Sequence, residues 1–489
     1  MNAMLILAID LGTTGNRAIV FDHQTRVVAK SYREFRQHFP QPGWVEHNPE
    51  EIWESARAVI AEAVTQVDPE RIAAVGITNQ RETIVSWDVK TGEPLHNAIV
   101  WQDRRTSGRC AEIKREGFET EIRRCTGLVC DPYFSATKIE WLLQNVRETR
   151  HGVFGTIDSW ILSKLTGGRV HATDMSNASR TMLFNLQERH WDEKLLKYFG
   201  VNRETLPEVR PSSGDFGMLD PSLFGFSAPI CGVVGDQQGA MFAQGCYEPG
   251  IIKNTYGTGL FLMMNTGTTP RVSEDLLSTI AWQIGDRVDY ALEGSVFVGG
   301  AAIQWLRDQL QIVTASHETE SLAASLSSND GVYFVPALTG LGAPHWDADA
   351  RGTILGLTRA TSRAHLARAA LEAIAYQTRD LVDTMCAELR TPLRKLQVDG
   401  GACANNFLMQ FQADILGVPV ERPAELEMTA LGAAGLAGLH ARVWSSPNDF
   451  LSHRRVERVF QPAMVAPLRE SLYKKWQEAV VRSRDWAAR

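Results

Sequence analysis

Two acids stand at the ends of apolar runs, where a carboxylate can reach a ligand. Asp10 closes the run Leu5 to Ile9 and opens the turn Asp10-Leu-Gly-Thr-Thr14. Asp236 follows the run in Cys231-Gly-Val-Val-Gly-Asp-Gln-Gln238. A carboxylate so placed can take a proton from a hydroxyl or hold Mg²⁺ through water. For Asp236 a loop cap is the competing reading. Two further Gly-rich turns, Tyr256-Gly-Thr-Gly259 and Asp399-Gly-Gly-Ala402, also follow apolar runs. Glycine lets the backbone approach a ligand, and successive N–H groups in such turns make concave anion sites. Any hairpin uses glycine, so one turn alone says little. Three in one chain point to a polyphosphate held between two lobes. A third group mixes donors, acceptors and flat apolar walls: Arg81 and Glu82, Trp101-Gln-Asp-Arg-Arg105, and Asp131-Pro-Tyr-Phe134. A small polyol needs that mixture, although each segment alone reads equally as a solvated ion pair or a core aromatic.

Other phosphate and nucleophile motifs are missing. No lysine follows a glycine, which removes the Walker A loop, and no GxGxxG lies at a strand-to-helix turn. HRD, GxSxG and HExxH do not occur. His345-Trp-Asp347 has metal-like residues without a second partner at ligand spacing, so a structural loop is expected there.

The elements that must carry these residues follow from periodicity and punctuation. Leu5 to Ile9 and Ala18 to Phe21 flank a Gly-rich turn and predict a hairpin. Asn48-Pro49 predicts the start of a helix over Ile52 to Val67. Ile72 to Ile77 reads as a buried strand. Thr83 to Trp87 and Ala98 to Trp101 look like a second hairpin. Gly250 to Met264 repeats the opening pattern of strand, glycine turn and strand. A long helix is expected from Ser362 to Leu389, then a short strand from Leu396 to Val398. The repeated hairpin implies two related halves, with a boundary near Gly245: residues 1–245 and 246–489.

Length and composition set the frame. A chain of 489 residues exceeds what one core usually fills. Hydrophobic residues at 44% and charged residues at 22% exclude a disordered or fibrous chain. With 50 basic and 57 acidic side chains the net charge is −7, which gives no sign of nucleic-acid binding. Seven cysteines without CxxC spacing suggest reduced, buried thiols and a cytoplasmic protein. The apolar start, Met1 to Ala8, lacks the basic segment of a secretion signal. The longest apolar run, Ala430 to Leu439, is too short to span a membrane.

Several segments together resemble the glycerol kinases of the FGGY carbohydrate kinase family over essentially the whole chain. They are Asp10-Leu-Gly-Thr-Thr14, Pro42-Gly-Trp-Val-Glu-His47, Gly76-Ile-Thr-Asn-Gln-Arg-Glu-Thr83, Asn177-Ala-Ser-Arg-Thr-Met-Leu-Phe184, Gly235-Asp-Gln-Gln238, Asn254-Thr-Tyr-Gly-Thr-Gly259, and Asp399-Gly-Gly401 with Asn405-Asn-Phe-Leu-Met-Gln-Phe-Gln412. The resemblance implies an α/β protein in which two actin/Hsp70-like (ribonuclease H-like) domains flank an active-site cleft. The first would carry the glycerol site and the second the adenosine site. It implies transfer of phosphate from ATP to glycerol with Mg²⁺, and a homodimer or homotetramer. By position, Asp236 matches the catalytic base, and Arg81, Glu82, Trp101, Tyr133, Asp236, Gln237 and Phe261 match the acceptor site. Thr13, Thr14, Gly15 and Arg17 match the first phosphate loop and Thr258 the second. Gly300, Gln304, Gly401 and Asn405 match nucleotide contacts, and Asp10 and Asp236 the Mg²⁺ position.

The sequence departs from the family pattern in two places. Thr14-Gly-Asn16 stands where many relatives have Thr-Ser-Ser, which costs a hydroxyl donor. No lysine or arginine occurs from Met218 to Gly245, so inhibition by fructose 1,6-bisphosphate is expected to be weak or absent; the segment also lacks histidine. Two other readings compete: an FGGY kinase for another polyol or a ketose, and a non-kinase ATPase of the actin/Hsp70 type.

Overall fold

The computed structural model describes residues 4–487. Residues 1–3 and 488–489, the outer ends of the two expected domains and part of the Met1 to Ala8 run, lie outside the described residues. The first half is built on strands β1 (Leu5–Leu11), β2 (Gly15–Asp22), β3 (Val27–Glu34), β4 (Ile72–Asn79) and β5 (Ile230–Gly235), in the order β5-β4-β1-β2-β3. β1 pairs antiparallel with β2 and parallel with β4. Both faces of β1 are buried, hence its unbroken apolar run.

The second half contains β6 (Ile251–Tyr256), β7 (Leu260–Gly267), β8 (Leu277–Ile284), β9 (Arg287–Val296), β10 (Lys395–Asp399), β11 (Val420–Pro423) and β12 (Val456–Phe460). Their order is β8-β9-β7-β6-β10-β11-β12. Its inner five strands repeat the first sheet pairing for pairing. β6 and β7 form an antiparallel hairpin, β9 adds antiparallel, and β10 and β11 add parallel. The repeat read from the two Gly-turn hairpins therefore extends through whole sheets.

Helix α1 (Pro49–Val64) starts as expected, with the Asn48 side chain accepting from the Glu50 amide. Helices α2 (Ser135–Asn145), α3 (Asp236–Ala243) and α4 (Gly300–Asp308) follow, then the long α5 (Arg363–Leu389), α6 (Asn406–Leu416) and α7 (Met428–His440). A capping box of Ser362 and His365 opens α5. The apolar Ala430 to Leu439 run is α7, and no helix among the described residues is long and apolar enough to cross a membrane.

One local expectation holds only in part. Ile84–Trp87 meets Ala98–Ile99 at the single pair Ile84↔Ile99, and its long partner is Val153–Thr156, paired at four positions. The intervening connection is too long for a tight turn, and Trp87 instead bridges Pro94.

α7 belongs by sequence to the second half but lies on the first sheet. A Cβ on Gly76 of β4 would stand 2.4 Å from the Ala433 carbonyl oxygen, and one on Gly232 of β5 would stand 2.6 Å from the Ala437 amide. Helix and sheet touch backbone to backbone only because these positions lack side chains. α7 also crosses α3, where a Cβ on Gly432 would fall 1.9 Å from the Gly239 carbonyl oxygen. One core cluster accordingly mixes Ile6, Phe21 and Ala74 with Met263, Trp282, Leu431 and Leu436. All seven cysteines are free thiols, six buried and Cys386 half-buried.

Candidate active site

The first glycine turn is held from beneath. The Gly12 amide donates to the Gly15 carbonyl at 3.1 Å, closing the loop. Gln80 Nε2 donates to the Gly12 carbonyl at 3.0 Å and Gln37 Nε2 to the Thr13 carbonyl at 2.9 Å. His47 bridges those two glutamines, 2.5 Å from Gln37 Oε1 and 3.4 Å from Gln80 Nε2. Burial, with a smaller push from His38, drops the His47 pKa to about 3, so it is neutral. With its carbonyls occupied below, the loop keeps Thr13 and Thr14 toward the open side, Thr14 exposed. Gly15 begins β2, where a Cβ would be 2.7 Å from the Arg33 carbonyl oxygen.

At the end of β1, Asp10 accepts from Arg17 Nη1 at 3.3 Å, and Arg17 Nε lies 3.8 Å from Glu427. Burial raises Asp10 to a pKa of about 6; Arg17 pulls the other way, while Glu427 and Asp236 add to the rise. Asp236 opens α3 at the end of β5, and its Oδ1 accepts from the Gln237 amide at 2.6 Å. Some 31% of its side chain is open, and Arg81 Nε stands 3.3 Å away. Burial raises its pKa and Arg81 opposes the rise. Strand ends of the first sheet thus bring the two nominated carboxylates into electrostatic contact.

Arg81 and Glu82 follow β4, Glu82 at φ +61°. Both are buried. Arg81 Nη2 is 3.5 Å from the Tyr133 hydroxyl, and the Tyr133 ring meets Trp101 edge-on with centroids 5.6 Å apart. Trp101 Nε1 donates to Thr13 Oγ1 at 3.0 Å, joining this wall to the first phosphate loop. Lys253, from β6, donates to Gln237 Oε1 and, at 3.2 Å, to the Phe261 carbonyl. Thr13, Trp101, Tyr133, Arg81, Asp236, Gln237 and Phe261 therefore form one connected group.

Five of the other expected site residues make a second group. Thr258, Gly300, Gln304, Gly401 and Asn405 line one cavity of about 420 Å³, with Ile303, Leu371 and Ile374 supplying apolar wall. The Gly300 amide donates to the Gly257 carbonyl at 2.9 Å, tying the start of α4 to the second glycine turn. Asn405 caps α6 through the Leu408 amide at 2.9 Å, leaving Nδ2 3.3 Å from Thr319 Oγ1. Gly400 has φ +87°, and a Cβ there would lie 2.6 Å from the Tyr256 carbonyl oxygen. The β6–β7 hairpin joins the groups, with Lys253 and Phe261 on its strands and Thr258 in its turn.

Residues without a role in the sequence reading hold the first group from behind. Arg81 makes a fork to Glu293, Nη1 to Oε2 at 2.6 Å and Nη2 to Oε1 at 3.1 Å. Arg180 donates to Glu82 at 2.6 Å and to Glu293 at 2.9 Å. Lys138, on α2, donates to the Glu82 carbonyl at 3.1 Å and the Tyr133 carbonyl at 2.7 Å; burial lowers its pKa to about 7. A signal existed: Glu293 and Lys253 are lone charges inside apolar strand runs, which is costly unless they are paired. His345 and Asp347 form a loop as expected, Asp347 accepting the amides of Asp349 and Ala350. Among the described residues no cluster of three or more His, Cys, Asp or Glu could hold a metal by itself.

The family description "FGGY family of carbohydrate kinases, N-terminal domain" matches residues 5–243, and its C-terminal counterpart matches residues 252–441. The chain is 55% identical to a glycerol kinase of Carboxydothermus hydrogenoformans, over 99% of both chains. It is 54% identical to glycerol kinase 2 of Thermotoga maritima, again over 99% of both. Among solved structures it resembles Plasmodium falciparum glycerol kinase with ADP, with TM-score 0.94, 36% identity and 98% of each chain covered. A gluconate kinase from Lactobacillus acidophilus shares the fold at TM-score 0.88 and 23% identity, over 98% of this chain and 97% of that one. The chain has the two-domain, actin/Hsp70-like α/β fold, and it belongs to the FGGY family of carbohydrate kinases.

Proposed function

We propose that the protein transfers the γ-phosphoryl group of ATP to glycerol, giving sn-glycerol 3-phosphate and ADP. The observation that carries this reading is the part-open Asp236 carboxylate 3.3 Å from Arg81, which in turn reaches the Tyr133 hydroxyl of the Trp101–Tyr133 pair at 3.5 Å. A triol fits such a pocket: Arg81, Glu82 and Gln237 bond hydroxyls while Trp101, Tyr133 and Phe261 cover the carbon chain. Asp236 accepts the proton of the terminal hydroxyl as its oxygen attacks the γ-phosphorus and the β–γ bridging oxygen leaves with ADP. Backbone amides of the loop carrying Thr13, Thr14 and Gly15, with Thr258 from the second loop, face the phosphates. The cavity with Gly300, Gln304, Gly401 and Asn405 takes the adenosine. Enclosure between lobes 1–245 and 246–489 keeps water from competing as acceptor.

The reading includes Mg²⁺. Asp10 and Asp236 would hold it: two neighbouring carboxylates, Asp236 adding to the rise in the Asp10 pKa, suit a cation that keeps most of its waters and needs few protein ligands. Bound there, it would neutralise charge on the transferring phosphate. The reading also includes a cytoplasmic location, in keeping with seven free thiols, and a homodimer or homotetramer.

ADP release from MgATP with glycerol, xylulose, ribulose, gluconate, erythritol, dihydroxyacetone or no acceptor tests it. Strong turnover with glycerol is the expected result, and a ketose preference or acceptor-independent turnover overturns it. Asp236→Asn should lower kcat by about 10²–10⁴-fold, the usual share of a positioned base, while ADP binding persists. Near-normal turnover removes the base assignment.

A further inference from the structure

Arg81 would bind the acceptor with a guanidinium whose direction the first half alone does not fix. On its own side it meets Gln238 Oε1 at 3.1 Å and the Tyr133 hydroxyl at 3.5 Å. Its two charge-assisted fork bonds come from Glu293, in the second half and fully buried. Glu293 sits mid-strand on β9, opposite Met263 on β7 and Leu277 on β8. Its backbone is thus held in a three-stranded ladder. The same carboxylate takes Arg180 at 2.9 Å, and Arg180 in turn takes Glu82 at 2.6 Å.

We propose that Glu293 is a positioning residue for the acceptor: from the second half it orients Arg81 directly, and Glu82 through Arg180, so that both face the hydroxyls of the bound polyol. The fork leaves Arg81 Nε toward Asp236, at 3.3 Å. A planar fork on a carboxylate fixes rotation as well as distance, which a single contact does not. Without it, Arg81 is free to turn its whole fork onto Asp236 or Glu82, occupying the groups the acceptor uses. Burial alone would raise the Glu293 pKa, yet Arg180 and Arg81 hold it down at about 2, so the anchor stays charged throughout the working range.

The inference rests on the acceptor role of Arg81 given above. A buried ion pair can also serve only as a staple between two halves, and the two roles differ in what they move. Glu293→Gln keeps shape and loses the charge. The expected result is a rise of tenfold or more in KM for glycerol, with KM for ATP and ADP affinity within twofold of the unaltered protein. Glu293→Asp, which retains the charge at a shorter reach, should recover part of the loss. A KM for glycerol unchanged in Glu293→Gln overturns the proposal, and so does an equal loss for glycerol and ATP. Should Glu293→Gln not fold, the charge-balanced pair Glu293→Gln with Arg180→Gln is measured against the same criteria. Glycerol turnover by the unaltered protein is run alongside. Its absence would overturn the function reading itself, whereas normal turnover with an indifferent Glu293→Gln overturns only this inference.

Discussion

Asp10 is under opposing influences at one carboxyl. Burial, Glu427 and Asp236 favour the neutral acid, while Arg17 favours the anion, and the balance leaves a pKa of about 6. A divalent cation binds the anion alone, so below that pH a proton competes with Mg²⁺. Affinity for Mg-ADP should therefore fall as pH drops through about 6, whereas metal-free ADP should bind with little change. Asp10→Asn should flatten the Mg-ADP profile. Nucleotide titrations with Mg²⁺ and with EDTA would decide it, and parallel profiles for the two nucleotide forms would sink the Asp10 assignment. Asp10, Arg81, Glu82 and Asp236 were legible in the sequence because each lies at or just past the end of an apolar run, Asp10 beside a glycine turn. Glu293 and Lys253 showed only as charges inside apolar strand runs, and Arg180 and Lys138 carried no mark. They sit inside elements, and their partners lie far along the chain: Arg81 and Glu293 are separated by 212 positions. Only the folded sheets bring them together.

Among the elements, α7 depends most on what the sequence hid. Its run of small apolar residues was visible, but its place on the first sheet was not, because backbone contact across such a distance leaves no local pattern. The contact is demanding. A Cβ on Gly432 would lie 1.9 Å from the Gly239 carbonyl oxygen, with both backbones fixed in helices. Gly432→Ala should therefore force α3 and α7 apart, at about 1–3 kcal/mol for overpacking. Since Asp236 opens α3, the same shift should lower kcat along with Tm. Gly108→Ala is the control: it lies in the helix Ser107–Arg115 with nothing within 4 Å of its added methyl. There alanine should be neutral or slightly stabilising. Thermal melts and turnover of the two variants side by side give the answer, and equal stability would mean that α7 tolerates displacement. The short strand Ala98–Ile99 illustrates the opposite limit. Two apolar runs and a turn-like connection suggested a hairpin; the runs do lie side by side and antiparallel, but share one pair, while Val153–Thr156 takes the opposite edge of Ile84–Trp87 at four positions, a partner that neither run encodes.

On the scale of the whole molecule, two sheets with one pattern suggest two units able to melt separately, as multidomain chains often do. The packing argues otherwise. α7 leaves the second half to close the first sheet, Arg81 and Arg180 reach Glu293 on β9, and Ser179 Oγ meets Thr279 Oγ1 at 2.8 Å. The core around Ile6, Phe21, Trp282 and Leu431 belongs to neither half alone. Removing the second half would strip apolar cover from β4 and β5 and take from two buried arginines the carboxylate they share, and losing one partner of a buried ion network costs several kcal/mol. Calorimetry should accordingly record one cooperative transition whose calorimetric and van't Hoff enthalpies agree. Glycerol, although it would touch mainly first-half side chains, should move that whole transition upward by mass action rather than split it. Two resolved peaks, or a glycerol shift confined to one of them, would mean that the shared core is too weak to couple the lobes. Asp236 would then be carried by a first half that folds and binds acceptor without help from β9.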